Sequence, residues 1–214
     1  MLKHHITDYT IFFRDEGFTM NKMMGFYELK ESGLPAIRWK EFEKTTSLDQ
    51  RNLWTIRSAL QRGNDINLPR LVGERAEKAE KFALELYDRI KNNGMVIYYP
   101  YFLAEKSGTL NIYKDRIVIE AVKDDLWNLV SYSDCEVTIQ IQDQQVEFYG
   151  NRQFISPNEL EELLEYAKRI KGMFREELYG GKSILLEWSY AYDSDIEKKR
   201  IGNNYLIFYE IRTV

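Results

Sequence analysis

Two strand-like runs close the chain, SILLEWSYAYD over residues 183–193 and NYLIFYEIRTV over residues 204–214. A carboxylate interrupts each apolar run, Glu187 in the first and Glu210 in the second. Side chains alternate across a strand, so Ile184, Leu186, Trp188 and Tyr190 share one face and Leu185, Glu187, Ser189 and Ala191 the other. By the same period Tyr205, Ile207, Tyr209 and Ile211 share a face, and Leu206, Phe208, Glu210 and Arg212 share the opposite one. An antiparallel hairpin centred near Glu197-Lys198 sets Glu187 directly opposite Glu210, with Cβ atoms roughly 5 Å apart. Two like charges that close need a divalent cation or a neighbouring arginine, and Arg212 is at hand. A different register leaves both acids solvated on a wet face.

Working back from these runs, SPNELEELLEYAKRIKGMF, 156–174, reads as a helix. Ser156 is its N-cap, Pro157 its first position and Glu159 the partner in a capping box. Leu160, Leu163, Leu164, Ala167 and Phe174 form its apolar stripe. EVTIQIQ alternates Val137, Ile139 and Ile141 against Thr138, Gln140 and Gln142, with VEFYG returning beside it. LNIYKDRIVIEAV folds as a hairpin about Lys114-Asp115, and MVIYYPYFLA reads as one strand. Upstream, GERAEKAEKFALELYDRIKNNG, 73–94, reads as a helix stopped by Gly94. NKMMGFYELKESG, 21–33, reads as a shorter helix capped by Asn21 and ended by Gly33. The stretch 47–63 is ambiguous: Ser47 and Gln50 spell a capping box, yet LWTIR is also a good strand. The sum is an α+β chain, with a helix-rich lobe over 1–93 and a sheet-rich lobe over 94–214.

Composition narrows the chemistry. At 214 residues with 44% hydrophobic content the chain buries a sizeable core without disulfides. Its net charge of −4 argues against a dedicated nucleic-acid binder. Cys135 is the single cysteine, which excludes an intrachain disulfide and a cysteine zinc cluster. The two histidines, His4 and His5, sit at the N-terminus, so a Ser-His-Asp or Cys-His site would draw its base from a terminal segment. With no apolar run of 18 residues and no signal peptide, the expectation is a soluble cytoplasmic protein without membrane partners.

Several stretches, in order, resemble one family: the N-terminal nucleotide-binding domain of phosphoenolpyruvate synthase and pyruvate phosphate dikinase, which has an ATP-grasp architecture. MNKMMGFYELKESGLP is similar to that family's Gly-Gly-Lys segment and the helix ending in Gly-Leu-Pro, with Lys22 at the family's spacing from Gly33-Leu34-Pro35. TIRSAL resembles its Val-Arg-Ser strand. VIYYPYFLAEKSG and RIVIEAV resemble the two strands that follow, with Tyr99 where a glutamine would fall. SPNELEELLEYAKRI, LLEW and YEIR resemble its late helix, its Glu-Trp strand and its Gln-x-Arg strand.

The resemblance implies a two-lobed ATP-grasp-like fold with a mainly antiparallel sheet, and makes LWTIR a strand. It implies that Lys22, Arg57 and Arg212 contact the phosphates of ATP and that Glu187 and Glu210 hold magnesium. An acceptor substrate or partner protein would complete a phosphotransferase or ligase reaction. The chain is short for the family and lacks the phosphohistidine domain and barrel of the full enzymes. It also departs from the pattern: the glycines before Lys22 are missing, Leu185 replaces an acid, Glu210 replaces glutamine, and KDDLWNLV, 123–130, stands where Gly-Leu-Gly-Glu is expected. Those departures leave open a non-catalytic interaction module of the same fold. The last two strands also resemble part of RNA-ligase-type nucleotidyltransferases, but the Lys-x-Asp-Gly nucleophile of those enzymes is absent from the sequence.

Overall fold

A computed structural model describes residues 19–63, 68–126, 129 and 135–214. His4, His5, Trp127, Asn128 and Val130 lie outside the described residues. The fold is α+β, with two antiparallel sheets and helices packed on them.

The closing runs form β9 (Ile184–Ser194) and β10 (Arg200–Thr213), an antiparallel hairpin. Its tip is shaped by Asp195, whose carboxylate accepts from the backbone N–H groups of Glu197 and Lys199, with Lys198 at φ +60°. Glu187 pairs with Glu210, one of the registers that the sequence left open. The face assignment for β10 needs a correction. The register slips between Phe208 and Glu210, so Tyr209 is an extra residue in a β-bulge. Leu206, Phe208 and Ile211 point into one core while Ile207 and Tyr209 join another. The simple alternation that put Phe208 and Glu210 on one face therefore fails at Tyr209, because a bulge breaks the period of two.

The hairpin edges a six-stranded sheet ordered β10-β9-β5-β6-β7-β8. Here β5 is Phe102–Ile112, β6 Arg116–Lys123, β7 Val137–Gln142 and β8 Gln145–Gly150. The β5–β6 turn falls at Lys114-Asp115 as read, and β7–β8 turns through Asp143 and Gln144, both at positive φ. Helix α3 (Pro157–Met173) covers one face, numbering the helices α1 (Lys22–Glu31), α2 (Ala76–Ile90), α3 and α4 (Arg175–Tyr179). Its capping box is formed in full, the Ser156 side chain and the Glu159 side chain each accepting from the other's backbone. Leu163, Ala167 and Ile170 bury against Leu110, Ile119, Leu186 and Trp188. The opposite face of β5 and β9 carries Ser107, Glu187 and Ser189 and is left for the site.

The smaller sheet is ordered β1-β4-β2-β3, from Lys40–Glu41, Gly94–Pro100, Leu53–Leu60 and Leu71–Arg75. The ambiguous stretch is thus the strand β2, buried along nearly its whole length. Trp54 and Ile56 pack under α2 with Ala79, Ala83 and Leu86, while Ala59 packs on the far side with Phe26 and Ile97. Covered on both faces, β2 has no polar alternation to announce it.

Two further readings are corrected. The helix expected from residue 73 begins at Ala76, because Leu71–Arg75 pairs with β2 as β3. MVIYYPYFLA is two strands, not one: the Tyr101 N–H bonds the Leu53 carbonyl, and Phe102 then pairs with Asp193 in the larger sheet. The change of sheet falls at Tyr101.

Helix α1 ties the sheets together. Asn21 caps it by accepting from the Met24 N–H, and its Nδ2 donates to the Gln61 carbonyl beyond β2. Just upstream, the Met20 N–H donates to Thr213 Oγ1 in β10. The helix lies so close to β10 that a Cβ on Gly25 would overlap the Ile211 carbonyl oxygen. Gly25→Ala should therefore cost about 2 kcal/mol or more of stability in urea unfolding, as overpacking against backbone does. Gly172→Ala near the end of α3, where an added Cβ meets nothing within 4 Å, should instead stabilise by about 0.5 kcal/mol.

Candidate functional site

Five charged side chains from four elements converge in a cleft of about 510 Å³ between the two sheets. Lys22 enters from the first position of α1, Arg57 from β2, Glu187 from β9, and Glu210 and Arg212 from β10. All five residues singled out in the sequence line this cleft.

The centre is an ion pair. Arg57 Nη2 donates to Glu210 Oε2 at 2.5 Å, and the same nitrogen lies 3.8 Å from Glu187 Oε2. Arg57 Nη1 donates to the Tyr209 carbonyl at 3.3 Å. Lys22 Nζ sits 3.5 Å from Glu210 Oε2, and Arg212 Nη1 3.8 Å from Glu210 Oε1. Both partners of the central pair are buried, Arg57 at 7% exposure and Glu210 at 5%. Arg212 is the most open of the three cations, and among the described residues its Nε has no hydrogen-bond partner.

The electrostatics split the two acids. Burial opposes the charge on Glu210, but Arg57, Lys22 and Arg212 together outweigh it and hold its pKa below the ordinary carboxylate value. Burial, followed by repulsion from Glu210, pushes Glu187 up to about 7. For Arg57, burial works against the charge and Glu210 overcomes it, so its pKa is raised. Burial and then the like charge of Arg57 lower the pKa of Lys22. One acid is thus a fixed anion and the other titrates near neutrality.

The walls are aromatic and polar. Tyr99 is 5% exposed and stacks on Phe102 with ring centroids 6.3 Å apart. It lines the cleft while packing in the core. Ser107 and Ser189, buried on neighbouring strands, share a 2.8 Å hydrogen bond, and Ser107 donates to the Asp124 carbonyl. Tyr209, Phe102 and this serine pair were missed in the sequence. Tyr209 and Phe102 read as ordinary strand residues, Ser189 as a position on the Glu187 face, and Ser107 had no role in the reading.

Among the described residues no group of three or more His, Cys, Asp and Glu side chains gathers as a metal site. The donor set is two carboxylates paired across β9 and β10 at the cleft. That suits magnesium, which takes one or two protein carboxylates and completes its shell with phosphate oxygens and water. No helix among the described residues is long and apolar enough to cross a membrane.

The raised pKa of Glu187 sets a pH dependence. Between about pH 4.5 and 7 the folded chain holds a proton there that the unfolded chain has released, so stability falls as pH rises through this window. Above it the cost is complete, on the order of 1–3 kcal/mol. Glu187→Gln should match the parent chain in urea unfolding near pH 4.5 and exceed it at pH 8. An unchanged slope in the variant contradicts the assignment.

No family model matches the chain, and no curated protein matches it in sequence. Solved structures do match in shape. N5-carboxyaminoimidazole synthetase from Staphylococcus aureus complexed with ADP superposes over 90% of this chain with a TM-score of 0.52 at 13% identity. The ADP complex of purK, N5-carboxyaminoimidazole ribonucleotide synthetase, matches at 0.47 and 11% identity, covering 90% of this chain and 44% of that one. The macrocyclase MdnC bound with precursor peptide MdnA from Microcystis aeruginosa MRC matches at 0.41 and 11% identity, over 89% of this chain and 51% of that one. This chain spans 44% of the length of the Staphylococcus structure. What that structure shares with this chain is fold: the architecture is α+β and ATP-grasp-like, two lobes built on antiparallel sheets.

Proposed function

We propose that the cleft binds ATP with magnesium and that the chain is a nucleotide-binding protein acting as a reduced ATP-dependent phosphotransferase or ligase module. The observation that carries this reading is the convergence of Lys22, Arg57, Glu187, Glu210 and Arg212 at one cleft between two lobes. The ADP-bound structure of like fold and the resemblance to the phosphoenolpyruvate synthase nucleotide-binding domain support it from independent directions.

Each group has a role in that reading. Lys22 and Arg212 reach the phosphate chain from the helix and the sheet edge. Arg57 presents what remains of its fork from between them. Glu187 and Glu210 would hold magnesium, which would supply positive charge to offset that of the phosphates. Fixed cations at the cleft spread the negative charge that builds on a transferred phosphoryl group without having to reorganise. The buried Tyr99 ring and the half-buried Phe102 ring offer an apolar wall that limits access of water. Glu187 gives up its proton when a cation binds, so binding strengthens as pH rises through about 7. The acceptor comes from a separate substrate or a partner protein.

A second reading has one observation in its favour. Glu210 already pairs with Arg57 and Lys22, so part of the positive charge at the site is offset without a ligand. That is the state expected of a non-catalytic interaction module that kept the fold.

Calorimetry separates the two. The nucleotide reading predicts saturable ATP binding that requires magnesium, with Kd below roughly 1 mM. Lys22→Ala and Glu187→Gln should each weaken it by about tenfold, the worth of one charge-assisted contact. Absence of magnesium-dependent binding at millimolar nucleotide assigns the chain to the second reading.

A further inference from the structure

The bulge in β10 stands beside the central ion pair and has no part in the sheet that a regular strand could not play. On either side of Tyr209 the ladder is in register for the core, with Phe208 opposite Trp188 and Ile211 opposite Leu186. Glu210 is opposite Glu187. Remove Tyr209 from the count and those three pairings remain mutually consistent, each residue keeping its face. The insertion is therefore not needed to aim Glu210 at the cleft.

What it adds is a second residue on the cleft side next to Glu210. A bulge puts two residues of one strand opposite a single residue of the other and frees a backbone group from the ladder. Here the Tyr209 carbonyl accepts from Arg57 Nη1 while the adjacent Glu210 carboxylate accepts from Nη2. Two consecutive residues thus grip both ends of one planar fork. The Tyr209 ring lies 5.7 Å from the guanidinium carbon and 6.0 Å from the Phe102 ring, and the Phe26 ring approaches the same carbon at 5.6 Å. Tyr209 is 8% exposed.

We propose that Tyr209 is a positioning residue: inserted into β10 beside Glu210, it fixes the orientation of the Arg57 guanidinium in the cleft through its carbonyl and its ring. A guanidinium held by one carboxylate alone swings about that contact. Gripped at both nitrogens it presents a fixed edge, which lowers the ordering cost when an anion arrives. The binding consequence rests on the nucleotide reading above, while the orientation of Arg57 does not.

The test uses the full chain with Tyr209 deleted, with Tyr209→Leu, and with Arg57→Gln alone and combined with the deletion. Two readouts are taken: guanidinium rotation of Arg57 by nitrogen-15 NMR, and magnesium-ATP affinity by calorimetry. The deletion is expected to fold cooperatively with a lowered Tm, to speed Arg57 rotation by tenfold or more, and to weaken nucleotide binding as much as Arg57→Gln does. The combined variant should bind no worse than either single change, because both remove the same oriented group. Tyr209→Leu, which keeps the carbonyl and loses the ring, should speed rotation by a smaller factor.

Arg57 rotation unchanged in the deletion overturns the proposal, as does additive loss of affinity in the combined variant. A deletion that fails to fold passes the decision to Tyr209→Leu, where unchanged rotation overturns it. Loosened Arg57 in a parent chain that binds no nucleotide upholds the positioning role and rejects the nucleotide reading instead.

Discussion

The buried pair between Arg57 and Glu210 is the contact on which the arrangement turns. It joins the central strand of the small sheet to the edge strand of the large one across 153 residues of sequence. Each ion alone would be costly at such low exposure, since desolvation of an unpaired charge amounts to several kcal/mol. Losing one partner and leaving the other buried typically costs about 3–5 kcal/mol. The pair thus holds the two sheets in one relation. The apolar core around it, from Phe26 and Trp39 through Ile97 and Tyr99 to Tyr209, supplies the dry surroundings that make the charges matter.

Once that pair is in place, the remaining site follows from local structure. The Asn21 cap fixes where α1 begins, and so fixes Lys22. Gly25 lets α1 approach β10 closely enough for the Lys22 ammonium to reach Glu210. The β9–β10 register brings Glu187 next to Glu210, and their repulsion adds to burial in raising the Glu187 pKa. The same geometry surrounds Glu210 with the chain's own cations, Arg57, Lys22 and Arg212.

Features encoded within a few residues were legible in the sequence. The Ser156–Glu159 capping box, the Lys114-Asp115 turn, the β7 alternation and the Asn21 cap all have local causes. The facing of Glu187 and Glu210 was only half legible: period two and the turn position allowed it, but a different register with both acids solvated stayed open until the fold fixed the pairing. Features set by distant partners were not. β2 showed no alternation because both its faces are covered, and β3 was hidden at the head of a strong helix pattern. The break at Tyr101 is made by a bond to Leu53, far back in the chain. The bulge at Tyr209 answers to Arg57, which lies 152 residues away, and nothing in YEIR announces it. The charged residues of the site were found through their resemblance to a family pattern. Their mutual distances and opposing pKa shifts came only with the fold.

The most direct measurement is a crystal structure of the full chain soaked with magnesium and a non-hydrolysable ATP analogue. The account predicts phosphate density between Lys22 and Arg212, a metal bridging the phosphates to Glu187 and Glu210, and Arg57 still held by the Tyr209 carbonyl. An empty cleft at millimolar analogue, with Glu210 still paired to Arg57 and Lys22, would contradict it.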